Sequence, residues 1–157
     1  MTKLKLLRDG PSRGPRLVLA HGAGAGMDSA FMSEVAVGLG ALGLAVARFE
    51  FPYMQRRRKS GVHAPPDRAP VLLECWRQAV LQLGAAEELV IGGKSMGGRM
   101  ASMLADELGV RGLVCLGYPF HPPGKPDKTR TEHLQGLKTR TLIVQGTRDP
   151  LGTRDDV

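Results

Sequence analysis

Leu89-Val90-Ile91-Gly92-Gly93-Lys94-Ser95-Met96-Gly97-Gly98-Arg99-Met100 decides the fold. An apolar run stops at a glycine-flanked serine and an amphipathic helical spacing follows, so the local order is strand, sharp turn, helix. Gly93, Ser95 and Gly97 have the G-x-S-x-G spacing of a nucleophile elbow, a strained turn that only small neighbours tolerate at close quarters. Such a turn lifts the Ser95 hydroxyl out of the sheet. It also aims the backbone N–H of Met96, at the positive end of the helix, toward the place where a tetrahedral oxyanion would form.

Two other readings compete for this segment. A phosphate-binding loop, G-x-x-x-x-G-K-[ST], requires glycine five residues before Gly93, and that position is Glu88. A glycine-rich turn with an incidental serine is the plainer alternative, and the surrounding chain decides against it.

Upstream, Arg16 to Ala20 is a continuous apolar run of the kind buried on both faces of a parallel sheet. It empties into His21-Gly22-Ala23-Gly24-Ala25-Gly26, which fails the dinucleotide fingerprint because Met27 stands where its last glycine belongs. A His-Gly-x-Gly loop after an early strand offers instead a second oxyanion N–H, from Ala23 or its neighbour Gly24. His21 is expected to brace the turn rather than to act as the base.

The remaining elements fit alternating strands and helices. A short strand is expected at Lys3 to Leu7, then a Gly/Pro turn from Gly10 to Pro15. A helix capped by Asp28 or Ser29 should run to about Leu39 and stop at Gly40, with a strand from Leu44 to Phe49 after it. Glu50 to Pro70 holds four prolines and the run Arg56-Arg57-Arg58-Lys59 without a helical period, and reads as a long loop with a solvated cationic stretch. Its Phe51 and Tyr53 are expected at the mouth of a pocket.

Helices follow from Pro70 to Leu83 and from Met96 to Leu108, with a strand from Gly112 to Leu116. The aromatic loop Gly117 to Pro126 brings Tyr118 and Phe120 to the same pocket. After a short helical segment near Arg130 to Leu137 and a strand from Thr141 to Gln145, Asp149 stands where the acid of a triad belongs in the order Ser, Asp, His.

Composition narrows the alternatives. The 157 residues suit one domain with a real core. A net charge of +7 comes without a basic helix or a series of base-stacking aromatics, so nucleic acid is not an expected partner. No run of eighteen apolar residues and no secretory h-region occurs, which excludes a membrane span and makes the cytoplasm the default compartment. Cys75 and Cys115 read as packed thiols, and His21, His63, His121 and His133 lack metal-ligand spacing; neither metal nor cofactor is expected.

On His21-Gly22-Ala23-Gly24, Phe49-Glu50-Phe51-Pro52-Tyr53, Gly92 to Arg99, Gly117-Tyr118-Pro119-Phe120 and Val144 to Pro150, the chain resembles an α/β-hydrolase. More narrowly it is similar to the dienelactone-hydrolase-like group that includes testis-expressed protein 30 and the hydrolase-like domain of the third NSL-complex subunit. The resemblance implies a three-layer α/β sandwich with a mostly parallel sheet. It implies Ser95 as nucleophile, Asp149 as orienting acid, Met96 and Ala23 or Gly24 as oxyanion donors, and a small ester, thioester or amide as substrate. An α/β-hydrolase continues beyond its acid with a strand, a loop carrying the catalytic histidine and a closing helix. No histidine follows Asp149, so the expectation is a domain cut short before these, with Thr141 to Gln145 as an exposed sheet edge open to self-association. A non-catalytic hydrolase-like binding module is the other function class.

Overall fold

A computed structural model describes residues 2–157. Six strands form one sheet: β1 (Leu7–Asp9), β2 (Arg16–Ala20), β3 (Ala45–Phe49), β4 (Leu89–Lys94), β5 (Gly112–Leu116) and β6 (Thr141–Val144). Their order across it is β1-β3-β2-β4-β5-β6. All neighbours run parallel except β1, which pairs antiparallel with β3 at one edge. The helices are α1 (Ala30–Ala41), α2 (Pro52–Ser60), α3 (Ala69–Leu83) and α4 (Met96–Leu108).

Strand order reverses between β2 and β4, which lie side by side although α1, β3, α2 and α3 separate them in sequence. Ala20 is in register with Gly93, so the loop after β2 and the turn after β4 leave the sheet together. Ligand sites of open parallel sheets form at such a switch point.

Side chains sort onto two faces. On one, α3 and α4 pack over Ile91, Leu113 and Cys115, with Phe49, Trp76, Met100 and Leu104 completing the larger core. On the other, α1 buries Met32 and Ala36 against Leu17, Leu19 and Val46. Together these make the three-layer α/β-hydrolase arrangement. No helix among the described residues is long and apolar enough to cross a membrane.

Several local expectations need correction. The long loop expected from Glu50 to Pro70 contains α2, which has Pro52 in its first turn and ends at Gly61 with φ 70°. The first strand is Leu7–Asp9 rather than Lys3 to Leu7, because the backbone of Leu4 is tied to α3: its N–H donates to Gln82 Oε1 at 2.8 Å and its C=O accepts from Gln82 Nε2 at 3.0 Å. Gly40 does not stop α1. A Cβ there would meet Gly10 N at 2.6 Å, so this glycine lets the turn after β1 cross the helix.

Candidate active site

The elbow begins where β4 ends. Ser95 has φ 48° and ψ −116°, a positive-φ conformation that few non-glycine residues adopt. Its N–H donates to Leu116 O at 2.9 Å, and its C=O accepts from Arg99 N–H at 3.0 Å, locking the turn between β5 and the first turn of α4. Met96 is the first residue of α4, so its N–H belongs to the end of a helix whose first donors have no intrahelical acceptor.

Glycine is required around the turn by close backbone approach. A Cβ on Gly97 would fall 2.5 Å from His21 O and 2.6 Å from Ala20 O, and one on Gly98 would fall 2.6 Å from Gly93 O. Trp76 on α3 donates its indole N–H to Gly97 O at 3.3 Å, fixing α4 from the other side.

The His21–Gly24 segment runs directly past this turn: a Cβ built on Gly22 would lie 3.7 Å from Ser95 Cβ. His21 is fully buried and uses both ring nitrogens, Nδ1–H donating to Gly22 O at 2.7 Å and Nε2 accepting from Phe51 N–H at 3.0 Å. This fixes one neutral tautomer. Burial holds its pKa below the ordinary histidine value, against smaller opposing effects of Gly22 O and Glu50. Ala23 and Gly24 are exposed at the loop's crest.

Ser95 and Asp149 line one open cleft of about 440 Å³, together with Phe31, Lys94, Leu116, Val144 and Leu151. The Asp149 carboxylate is oriented by two donors, Leu151 N–H at 2.9 Å and Gln145 Nε2 at 3.3 Å. Gln145 also reaches Gly152 O at 2.7 Å and Tyr118 O at 3.1 Å, tying the acid's loop to the loop after β5.

None of the four histidines lines this cleft. His133 Nε2 lies 2.8 Å from the hydroxyl of Ser102 on α4, and that hydroxyl donates to Arg99 O at 2.6 Å. His121 holds Pro122 O at 2.9 Å and faces Asp156 at 3.4 Å. His63 lies exposed after α2.

The four rings expected to line the pocket sit elsewhere. Phe51, Tyr53 and Tyr118 are fully buried and Phe120 nearly so, and none borders the cleft. Tyr118 donates to Arg130 O at 2.7 Å and packs on Phe120, while Tyr53 turns inward because α2 directs it beneath the His21–Gly24 loop. The cationic run is engaged as well. Arg56 pairs with Asp67, Arg57 donates to Gly24 O, and Arg58 binds both Glu50 and Asp28, which leaves Lys59 as its solvated member.

Sequence reasoning missed Lys94, Phe31 and Gln145. Lys94 had a usable signal, since the residue before an elbow serine stands at the strand's open end; its ammonium rests 4.9 Å from the Phe31 ring centre. Gln145 has none, because an amide after a strand is compatible with many loops.

Comparison with known proteins agrees with this architecture. The profile of the alpha/beta hydrolase domain matches residues 13–157. Among solved structures, an alpha-beta serine hydrolase homologue from Coxiella burnetii superposes with TM-score 0.69 at 18% identity, covering 97% of this chain and 71% of that one. A lidless α/β serine hydrolase from Xanthomonas campestris gives TM-score 0.62 at 19% identity, covering 99% and 77%. Est1E from Butyrivibrio proteoclasticus, with ferulic acid bound, gives 0.65 at 14% identity, covering 97% and 78%. A shared fold at such low identity transfers no substrate, whereas the profile match extends over most of the sequence. The chain belongs to the alpha/beta hydrolase domain family.

Proposed function

We propose that the protein is a serine hydrolase of small esters, thioesters or amides acting through an acyl-enzyme on Ser95, within the dienelactone-hydrolase-like group. The observation that carries this reading is the strained, positive-φ Ser95 at a strand-to-helix turn with the His21–Gly24 loop against it. In this reading Ser95 Oγ attacks the acyl carbonyl while the N–H groups of Met96 and of Ala23 or Gly24 receive the developing oxyanion. Asp149 orients and stabilises an imidazolium, and none of the histidines of residues 1–157 lines the cleft to supply it. Fluorophosphonate labelling read by intact mass tests the assignment. Slow labelling of Ser95 is expected, lost in Ser95→Ala and accelerated by added imidazole, which fits the open cleft and supplies the base. Equal labelling of wild type and Ser95→Ala would refute the nucleophile.

A binding module without turnover is the second reading, favoured by the lack of an imidazole at the cleft. Failure of Ser95 to label even with imidazole would select it.

A further inference from the structure

Every carbonyl of the Gly22–Gly24 loop is held from behind. Gly22 O accepts from His21 Nδ1–H at 2.7 Å, and the Tyr53 hydroxyl donates to Ala23 O at 2.9 Å with Gly22 O as a second acceptor at 3.3 Å. Gly24 O accepts from Arg57 at 3.1 Å. Two of these three donors project from α2, which is fixed in turn. Buried Glu50 receives Arg58 at 2.7 and 3.0 Å and Met27 N–H at 3.3 Å, and Gln55 donates to Glu50 O at 2.8 Å.

In a trans peptide the C=O and the following N–H point in opposite directions, and every described peptide bond is trans. Holding Gly22 O therefore turns the Ala23 N–H away from α2, and holding Ala23 O does the same for the Gly24 N–H. The elbow closes the other side of the loop, where a Cβ added to Gly22 would lie 3.7 Å from Ser95 Cβ. We infer that α2 is a brace for the oxyanion loop, with Tyr53 as the positioning residue that sets the N–H direction of Ala23 and Gly24 toward Ser95 without touching substrate, while Arg57, on Gly24 O, anchors the peptide that follows. Of the two donors, Ala23 N–H is the better fixed, since its peptide is held by His21 and Tyr53 together.

This accounts for a buried tyrosine where phenylalanine would pack equally well. Burial pushes the Tyr53 hydroxyl up to about 12, so it remains a donor throughout the physiological range. It also gives Arg57, expected in a solvated stretch, a partner in Gly24 O.

The inference rests on the hydrolase reading for its consequence but not for its geometry, and two arms separate them. Backbone nitrogen-15 order parameters of Ala23 and Gly24, measured by NMR in the 157-residue protein, read the brace directly. Tyr53→Phe should lower them from the rigid value of about 0.85 toward about 0.6 or less, while the amides of β4 stay rigid. The second arm is Ser95 phosphonylation in added imidazole, which should slow by about ten- to a hundredfold, less than the hundred- to thousandfold typical of deleting a donor outright. Initial reagent binding should stay unchanged, as a loss confined to the reacting state requires. Arg57→Met, altered at a half-buried site, should give smaller changes in the same direction and serves if Tyr53→Phe does not fold. Unchanged order parameters in both variants would overturn the brace. Lowered order parameters with unaltered phosphonylation would overturn the positioning role, and a wild type that never labels would instead overturn the hydrolase reading while the order-parameter arm still judges the brace.

Discussion

Gly97 illustrates how one residue links backbone packing to the site, because its missing side chain is what lets α4 begin against the carbonyls of Ala20 and His21. Neither carbonyl can move without disturbing β2 or the His21–Gly24 loop. Gly97→Ala should therefore cost about 1–3 kcal/mol or more, the range for forcing extra volume into a packed interior. Gly24, with open space where its Cβ would be, is the control, and Gly24→Ala should melt like wild type. Urea titrations of the two variants check this; equal midpoints would mean that the elbow yields more readily than its contacts imply. His21 predicts a pH effect. Its folded pKa lies below the ordinary value of 6.5 because of burial, so the folded state resists a proton that the unfolded chain accepts. Stability from this group is complete above about pH 6.5 and declines as pH falls toward the lowered native pKa, with a limiting slope of about 1.4 kcal/mol per pH unit. His133, lowered by burial and by Arg99, adds to the slope in the same direction. Thermal melts from pH 8 to 5 should show wild type losing stability faster than His133→Gln, and parallel curves would contradict the contribution of His133.

Helix α2 shows where pattern reading fails. Its nine residues bury only Tyr53 and Met54, which are adjacent and cannot outline a 3.6-residue period, and its remaining anchors are charged or amide side chains. Helix α4, by contrast, was legible from Met100, Leu104 and the glycines before them, because its period is written in apolar residues. The same distinction runs through the site. Ser95, Asp149 and the His21–Gly24 loop were readable because each sits immediately beyond an apolar strand and the parallel sheet brings those ends together. Tyr53, Tyr118 and Phe120 were not, because sequence names an aromatic in a loop without saying which way the loop faces. The energetic consequence of α2 is testable at Arg58, whose guanidinium answers a Glu50 side chain only 4% exposed while remaining 48% exposed itself. Arg58→Met leaves a buried carboxylate without its cation and should cost about 1–3 kcal/mol, discounted from a fully buried pair because water reaches one partner. Lys59→Met, one residue on at a solvated position, should stay within about 0.5 kcal/mol. If the two variants unfolded alike in urea, the Glu50–Arg58 pair would not be what seats the helix.

At the scale of the molecule the two sheet faces are unequally covered. α3 and α4 roof one face across to β5, while α1 on the other side packs over β2 and β3. Beyond it Val114 and Leu116 remain half-buried, and on β6 Leu142 and Val144 are 57% and 53% exposed. β6 is also the outermost strand, so unpaired backbone donors and acceptors stand beside an apolar surface, a combination that invites another chain. Leu116 and Val144 border the Ser95 cleft as well, so whatever covers this face also shapes the pocket. The expected outcome for residues 1–157 is reversible self-association that grows with protein concentration, seen as a rising weight-average mass in sedimentation velocity. Leu142→Lys places a charge on the edge outside the cleft and should suppress it, at a cost in stability below about 0.5 kcal/mol because the leucine is already exposed. Arg77→Leu, on the far side of α3 where Arg77 pairs with Glu107, should leave the association unchanged. A wild type that remained monomeric at every concentration would leave the open face to solvent alone, and a Leu142→Lys protein that associated equally well would place the contact elsewhere.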